Sequence, residues 1–356
     1  MAHVTSPSEL LDRTLAAIRP LDSAAIRAAT ERQAQLTKPA GALGVLEATS
    51  VQYAGITGLC PPAVPARVAV AVFAADHGVV ASGVTPWPQS VTTSMVENFR
   101  AGGAAVNVLA RQVGADVVVV DIGMADDVKE DAVVQVRKVR AATADLARGP
   151  AMSGDEALAA IGVGIRVADE LADAGYELLV TGDMGIGNTT ASACLISRFA
   201  ERPADEITGR GTGIDDEMLA HKTSIVASAT GRLPADADPL AVLAEVGGLE
   251  HAGLAGLILG AAARQVPVLL DGVIAGAAAL LAAALSADAI DYCIAGHRSA
   301  EPGHTAALER LGLRPLVDLD LRLGEGSGAV LAVPLVRAAV AVLAEMATFE
   351  TAGIDQ

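Results

Sequence analysis

Six short runs rich in β-branched residues set the frame of this chain: Val68 to Phe73, Asp116 to Asp121, Glu177 to Val180, Val266 to Leu270, Ala289 to Ile294 and Leu316 to Leu319. Several are apolar at successive positions, so both faces of the strand must be covered, as in a parallel sheet held between two helical layers. The longer helical patterns between them supply the crossovers. The predicted fold is α/β, a doubly wound, mostly parallel sheet flanked by helices. Residues 1–60 carry three helical stretches and no strand, which predicts a smaller helical subdomain, with the α/β domain over 61–328 and a boundary near Pro61 and Pro62. Ala329 to Thr348 reads as one long apolar helix, and residues 329–356 are expected to pack on the N-terminal helices.

Charge narrows the function. Lys and Arg number 25 against 42 Asp and Glu, a net charge of -17 whose field repels nucleic acid and anionic membrane. An anionic substrate must then be held by local devices such as backbone amides or a helix N-terminus. The apolar runs Val273 to Leu285 and Ala252 to Ala263 fall short of the ~20 residues of a spanning helix and read as buried helices. MAHVTSPSELLDR lacks a basic stretch followed by an apolar one, so no secretory signal is read and a cytoplasmic location is expected. Cys60, Cys194 and Cys293 lie far apart in apolar stretches and read as free thiols.

In an open parallel sheet, ligands bind beyond the carboxyl ends of the strands. The segments after the runs are polar or glycine-rich: Ala75 to Gly78, Gly123-Met124, Gly182 to Thr190, Asp271-Gly272, Gly296 to His304 and Gly324 to Gly328. LLVTGDMGIGNTTASA reads as strand, glycine loop and helix start, fit for a phosphate or, equally by its glycines, for a tight turn. Asn188 stands where a nucleotide-triphosphate loop needs lysine, and Asp183 opposes an anion unless it faces another part of the substrate. Gly324, Gly326 and Ala329 match a relaxed dinucleotide pattern, but no strand with an acid follows about 20 residues on, so a nicotinamide dehydrogenase is excluded. Glu325, flanked by glycines where backbones crowd, reads either as a shielded carboxylate with a raised pKa, a general base, or as a solvated loop glutamate.

Gly209, Gly211 and Gly213 precede a helix whose first turn holds Asp215 and Asp216, read as capping carboxylates, with Lys222 a candidate phosphate contact. His77, His297 and His304 lack the spacing of a metal site, and no metal or cofactor is expected. His77 either orients a substrate or satisfies loop backbone; Trp87 either lines a pocket for a planar ring or belongs to a core or interface.

Together KPAGALGVLE (Lys38 to Glu47), ADHGV (Ala75 to Val79), PQSVTTSMVENFRAGGAAVN (Pro88 to Asn107), GDMGIGNTT, RGTGIDD, GHRSAEPGH and GEGSGA resemble the nicotinate-nucleotide dimethylbenzimidazole phosphoribosyltransferase family over nearly the whole chain. The resemblance implies transfer of phosphoribose from nicotinate mononucleotide to 5,6-dimethylbenzimidazole in cobalamin assembly, by one inverting displacement, with small-molecule partners and a homodimer. By the same resemblance Glu325 is the base. Asp183 is a second catalytic carboxylate, standing where members often carry glutamate, and Ala42 stands where KPxGSLG has serine. Gln89 corresponds to the benzimidazole pocket. Gly185, Ile186, Gly187, Asn188, Thr189, Gly211, Lys222, Arg298 and Ser299 correspond to the phosphoribosyl side. A non-catalytic sensor holding a mononucleotide in the same loops is the competing expectation.

Overall fold

In the computed structural model, which describes residues 6–355, six parallel strands form one sheet in the order β3-β2-β1-β4-β5-β6. They are β1 (Val68–Ala75), β2 (Ala115–Gly123), β3 (Val134–Val136), β4 (Leu178–Met184), β5 (Val268–Leu270) and β6 (Cys293–Ala295). A second, two-stranded sheet pairs β7 (His297–Arg298) with β8 (Val317–Asp318). Helices α1 (Pro7–Ala17), α2 (Ser23–Gln35) and α3 (Val45–Thr57) precede β1; α4 (Ser90–Arg100) and α5 (Ala105–Val113) lie between β1 and β2. α6 (Gly154–Asp173) precedes β4, which is followed by α7 (Asn188–Phe199), α8 (Ala204–Ile207), α9 (Asp216–Gly231), α10 (Pro239–Val246) and α11 (Leu249–Ala263). α12 (Val273–Leu285), α13 (Pro302–Leu311), α14 (Ser327–Glu345) and α15 (Phe349–Ala352) complete the chain.

The period of two along β1 makes the two cores. Ala69, Ala71, Phe73 and Ala75 point into one cluster with α6, α7, α11 and α12, while Val68, Val70, Val72 and Ala74 point into another with α4, α5 and α14. Small residues let the first layer close tightly. A Cβ on Gly164 of α6 would stand 1.9 Å from the Gly253 carbonyl oxygen of α11, and one on Gly256 of α11 would stand 2.1 Å from that of Ile161.

α14 meets the length and composition of a bilayer-crossing helix, with a mean hydropathy of 2.0 over 18 residues. Its setting is a protein core. Val330, Val333, Val336 and Val340 are buried with Val70 and Val180 of the sheet, and the Arg337 guanidinium donates to the Pro65, Ala66 and Val113 carbonyls. The far end of α14 meets the N-terminal helices. Leu343 packs with Ala29 and Ala54, Arg32 donates to Ala344 O at 2.9 Å, and Leu36 bridges Thr348. α1 instead lies against α6 and α11.

Several strands differ from expectation. The run Leu316 to Leu319 is not a strand of the main sheet: only Val317–Asp318 pairs, with β7, because alternating Asp318 and Asp320 leave Leu319 59% exposed with nothing to cover it. Ala289 to Ile294 begins as a 3-10 turn and becomes strand only at Cys293. β3, three residues long, gave no run to read. β4 continues to Met184, through residues read as loop, because its pairing with β1 persists to the end of that strand.

Candidate active site

Strand order reverses between β1 and β4, and a cleft of about 420 Å³ opens at their carboxyl ends. Asp183 and Met184 enter it from β4, Gly185 to Thr189 from the turn into α7, and Arg322 to Glu325 from the loop before α14. Trp87, Val91 and Met95 supply an apolar lining, and Ser299, Glu301 and His297 a polar one.

Glu325 sits in an unusual backbone. Gly324, Glu325 and Gly326 all have positive φ, +83°, +66° and +92°, so the glutamate is the one member of the trio that bears a strain cost. The loop is clamped on two sides. Glu325 O lies where a Cβ on Gly182 would be, at 2.6 Å, and Asp271 accepts from the Gly326 and Ala329 amides at 3.2 and 2.9 Å. Asp271 therefore occupies the N-terminus of α14, and the GxGxxA loop cradles a protein carboxylate rather than a phosphate. The Glu325 side chain is 5% exposed and its Oε2 accepts from Val106 N at 3.2 Å. Burial raises its pKa above the ordinary carboxyl value, the Val106 amide partly offsets this, and the Asp271 charge adds to the rise.

Asp183 is 4% exposed; Oδ2 accepts from Asn188 Nδ2 at 3.1 Å and Oδ1 has no protein partner. Burial, then the charges of Asp271 and Glu250, push its pKa well above 3.8, which favours the neutral acid. α7 begins at Gly187 with no side chain capping its amides. The glycines of this turn serve packing as well: a Cβ on Gly185 would be 2.3 Å from Ala75 O, and one on Gly187 3.2 Å from His77 Cβ. Beside the turn, Lys222 donates to Thr189 Oγ1 at 2.8 Å and Gly209 O at 3.0 Å. Burial lowers its pKa to about 8 against the opposing pull of Glu301. Glu301 Oε1 accepts from Gly211 N at 2.8 Å.

Of the residues singled out in the sequence, Glu325, Asp183, Gly185, Ile186, Asn188, Thr189, Gly211, Ser299 and Trp87 line this one cleft. Gly187 supports the turn, and Lys222 reaches the wall through Thr189. Two others are engaged elsewhere. Gln89 Nε2 donates to His77 O at 2.9 Å, and Arg298, its side chain 46% exposed, pairs with Asp318 at 3.5 Å and does not line the cleft. Glu301 and His297, which line the cleft, and Asp271, which lies behind it, were not assigned roles in the site, although each stands in a strand-end segment read as a ligand-binding edge. Asp215 caps α9 through Met218 N, as read. His304 accepts from Ser299 N at 2.8 Å, and burial, with the His297 and Arg298 charges, lowers its pKa to about 3, so it is neutral. His77 is fully buried against Glu250 rather than in the cleft.

His77, Glu250 and His251 bring three metal-ligating atoms within 4.8 Å. Both histidines approach Glu250 Oε1, at 2.7 and 2.8 Å. Ligand atoms around a tetrahedral ion stand about 3.3 Å apart. The spacing here is that of shared protons.

A family model described as phosphoribosyltransferase matches residues 18–354. The nicotinate-nucleotide–dimethylbenzimidazole phosphoribosyltransferase of Salinispora tropica is 58% identical, over 98% of this chain and 100% of that relative. The chain belongs to this family. The enzyme of the same name from Chloroflexus aggregans is 55% identical over 98% of each chain. A crystal structure of the family member from Thermus thermophilus superposes with a TM-score of 0.91 at 46% identity, covering 94% of this chain and 100% of that one. The fold is thus that of a phosphoribosyltransferase of this family.

Proposed function

We propose that the enzyme transfers phosphoribose from nicotinate mononucleotide to 5,6-dimethylbenzimidazole, giving α-ribazole 5′-phosphate and nicotinate, in assembly of the cobalamin nucleotide loop. The observation that carries this reading is Glu325, a strained and nearly buried carboxylate on the wall of a cleft that also offers an uncapped helix N-terminus. The phosphate is assigned to the α7 amides with Thr189 and Lys222, since Asp271 already fills the α14 terminus. The planar base is assigned to the apolar lining of Trp87, Val91 and Met95.

Nicotinate bound through its ring nitrogen leaves as a neutral pyridine, so the departing group develops no negative charge at that nitrogen. One nitrogen of the benzimidazole attacks the anomeric carbon from the opposite face, inverting the β-linked donor to an α-linked product. Glu325 takes the proton from the other ring nitrogen as positive charge builds there, and its raised pKa suits a base working near neutrality. Asp183, favoured as the neutral acid, supplies a hydrogen-bond donor across the cleft. A homodimer and a cytoplasmic setting belong to the same reading; sedimentation velocity tests the first.

Glu325→Gln keeps shape and removes the base. Turnover is expected to fall about 10² to 10⁴-fold with donor binding retained. Near-parental turnover in the folded variant rules out the assignment of the base. Release of nicotinate only when benzimidazole is added separates transfer from a sensor that returns its nucleotide unchanged.

A further inference from the structure

Behind the cleft lies a buried polar chain that the proposed reaction leaves unused. His77 Nε2 and His251 Nδ1 both meet Glu250 Oε1, and all three side chains have no solvent exposure. On its far side His251 Nε2 lies 2.8 Å from Ser192 Oγ, which donates to Asn188 O at 3.0 Å. A serine hydroxyl has one proton. Given to Asn188 O, it leaves Ser192 Oγ to accept from His251 Nε2, while Nδ1 stands 2.8 Å from the carboxylate without hydrogen-bond alignment. Asn188 opens α7 and holds Asp183. At the other end, His77 abuts Gly187 and Gly185. Both arms of Glu250 therefore reach the same turn.

We propose that Glu250 is a positioning residue for the phosphate-binding turn: its carboxylate fixes the His77 ring beneath Gly185 and Gly187 and holds His251 against Ser192, so that Asn188 and the α7 amides are set before the donor binds. This role rests on the proposed reaction, which makes the turn the phosphate site. Burial disfavours a charged His77 ring, but Glu250 outweighs it and raises the His77 pKa; in return, burial notwithstanding, the two histidines hold Glu250 well below the carboxylate range. Glu250 Oε1 takes both contacts and Oε2 has none, so glutamine keeps the accepting oxygen and removes only the charge. Without that charge the His77 pKa falls, and the ring loses the ionic tie that holds it beneath the turn.

The test compares the parent with Glu250→Gln and Ser192→Ala. In a nitrogen-15 pH titration of labelled histidine, the His77 ring is expected to keep its second proton to higher pH in the parent than in Glu250→Gln. In both variants KM for nicotinate mononucleotide is expected to rise about tenfold, with kcat within a factor of about three and KM for dimethylbenzimidazole unchanged. Ser192→Ala removes a single buried oxygen and carries the kinetic test should Glu250→Gln not fold. A His77 ring that titrates alike in the parent and in Glu250→Gln overturns the proposal. So does an unchanged donor KM, or a loss shared equally by both substrates. Failure of the parent to release nicotinate sinks the reaction instead, and leaves the proton arrangement to be read from the spectra.

Discussion

Lys222 shows how burial tunes one residue of the site. It is 2% exposed, yet its ammonium bonds a threonine that faces the cleft. With its pKa lowered to about 8, the cation is held at neutral pH and lost as pH rises through that value. Affinity for nicotinate mononucleotide is accordingly expected to weaken above about pH 8. Lys222→Met is expected to lower affinity about tenfold at pH 7 and flatten the profile, measured by calorimetric titration. Equal affinity in the two proteins removes Lys222 from the phosphate's partners. Glu325 and Asp183 were legible at this scale because carboxylates among glycines after strands are chemically unusual. Asp271 was not, since a lone aspartate at a strand end looks the same whether it binds substrate or caps a helix more than fifty residues away.

At the scale of elements, glycine decides how closely layers approach. α6 and α11 cross where Gly164 faces Gly253, and an added methyl would meet a carbonyl oxygen. Gly164→Ala is expected to destabilise the fold by about 3 kcal/mol, read from urea unfolding, because backbone rather than a flexible side chain must give way. A variant as stable as the parent would mean that the two helices slide freely. Strand existence was readable from β-branched runs wherever both faces are apolar. Strand ends were not. β4 outruns its apolar stretch through Gly182 and Asp183 because β1 stays beside it, and the run Leu316 to Leu319 pairs only with β7, outside the main sheet, for want of a covering layer.

Over the whole molecule, a charge of -17 surrounds the site proposed for an anionic donor. The field opposes approach, and the local amides and Lys222 must overcome it. KM for the donor is therefore expected to fall as ionic strength rises from about 20 to about 150 mM, where the screening length shortens to about 8 Å, while KM for the neutral base stays level. A donor KM that climbs with salt would show that local attraction dominates. α14 joins the two ends of the chain: its first half buries valines under the sheet and its last turns pack on α2 and α3.

Periodicity and composition by themselves determined the layered α/β architecture and put the glycine-rich segments, Glu325 among them, beyond the sheet strands, because each depends on residue type and local spacing. Only the tertiary structure decided which helix terminus is open to a phosphate, which carboxylates are dry, and that Glu250 ties His77 to His251. Those facts depend on residues distant in sequence meeting where water is excluded, and burial of that kind has no local signature.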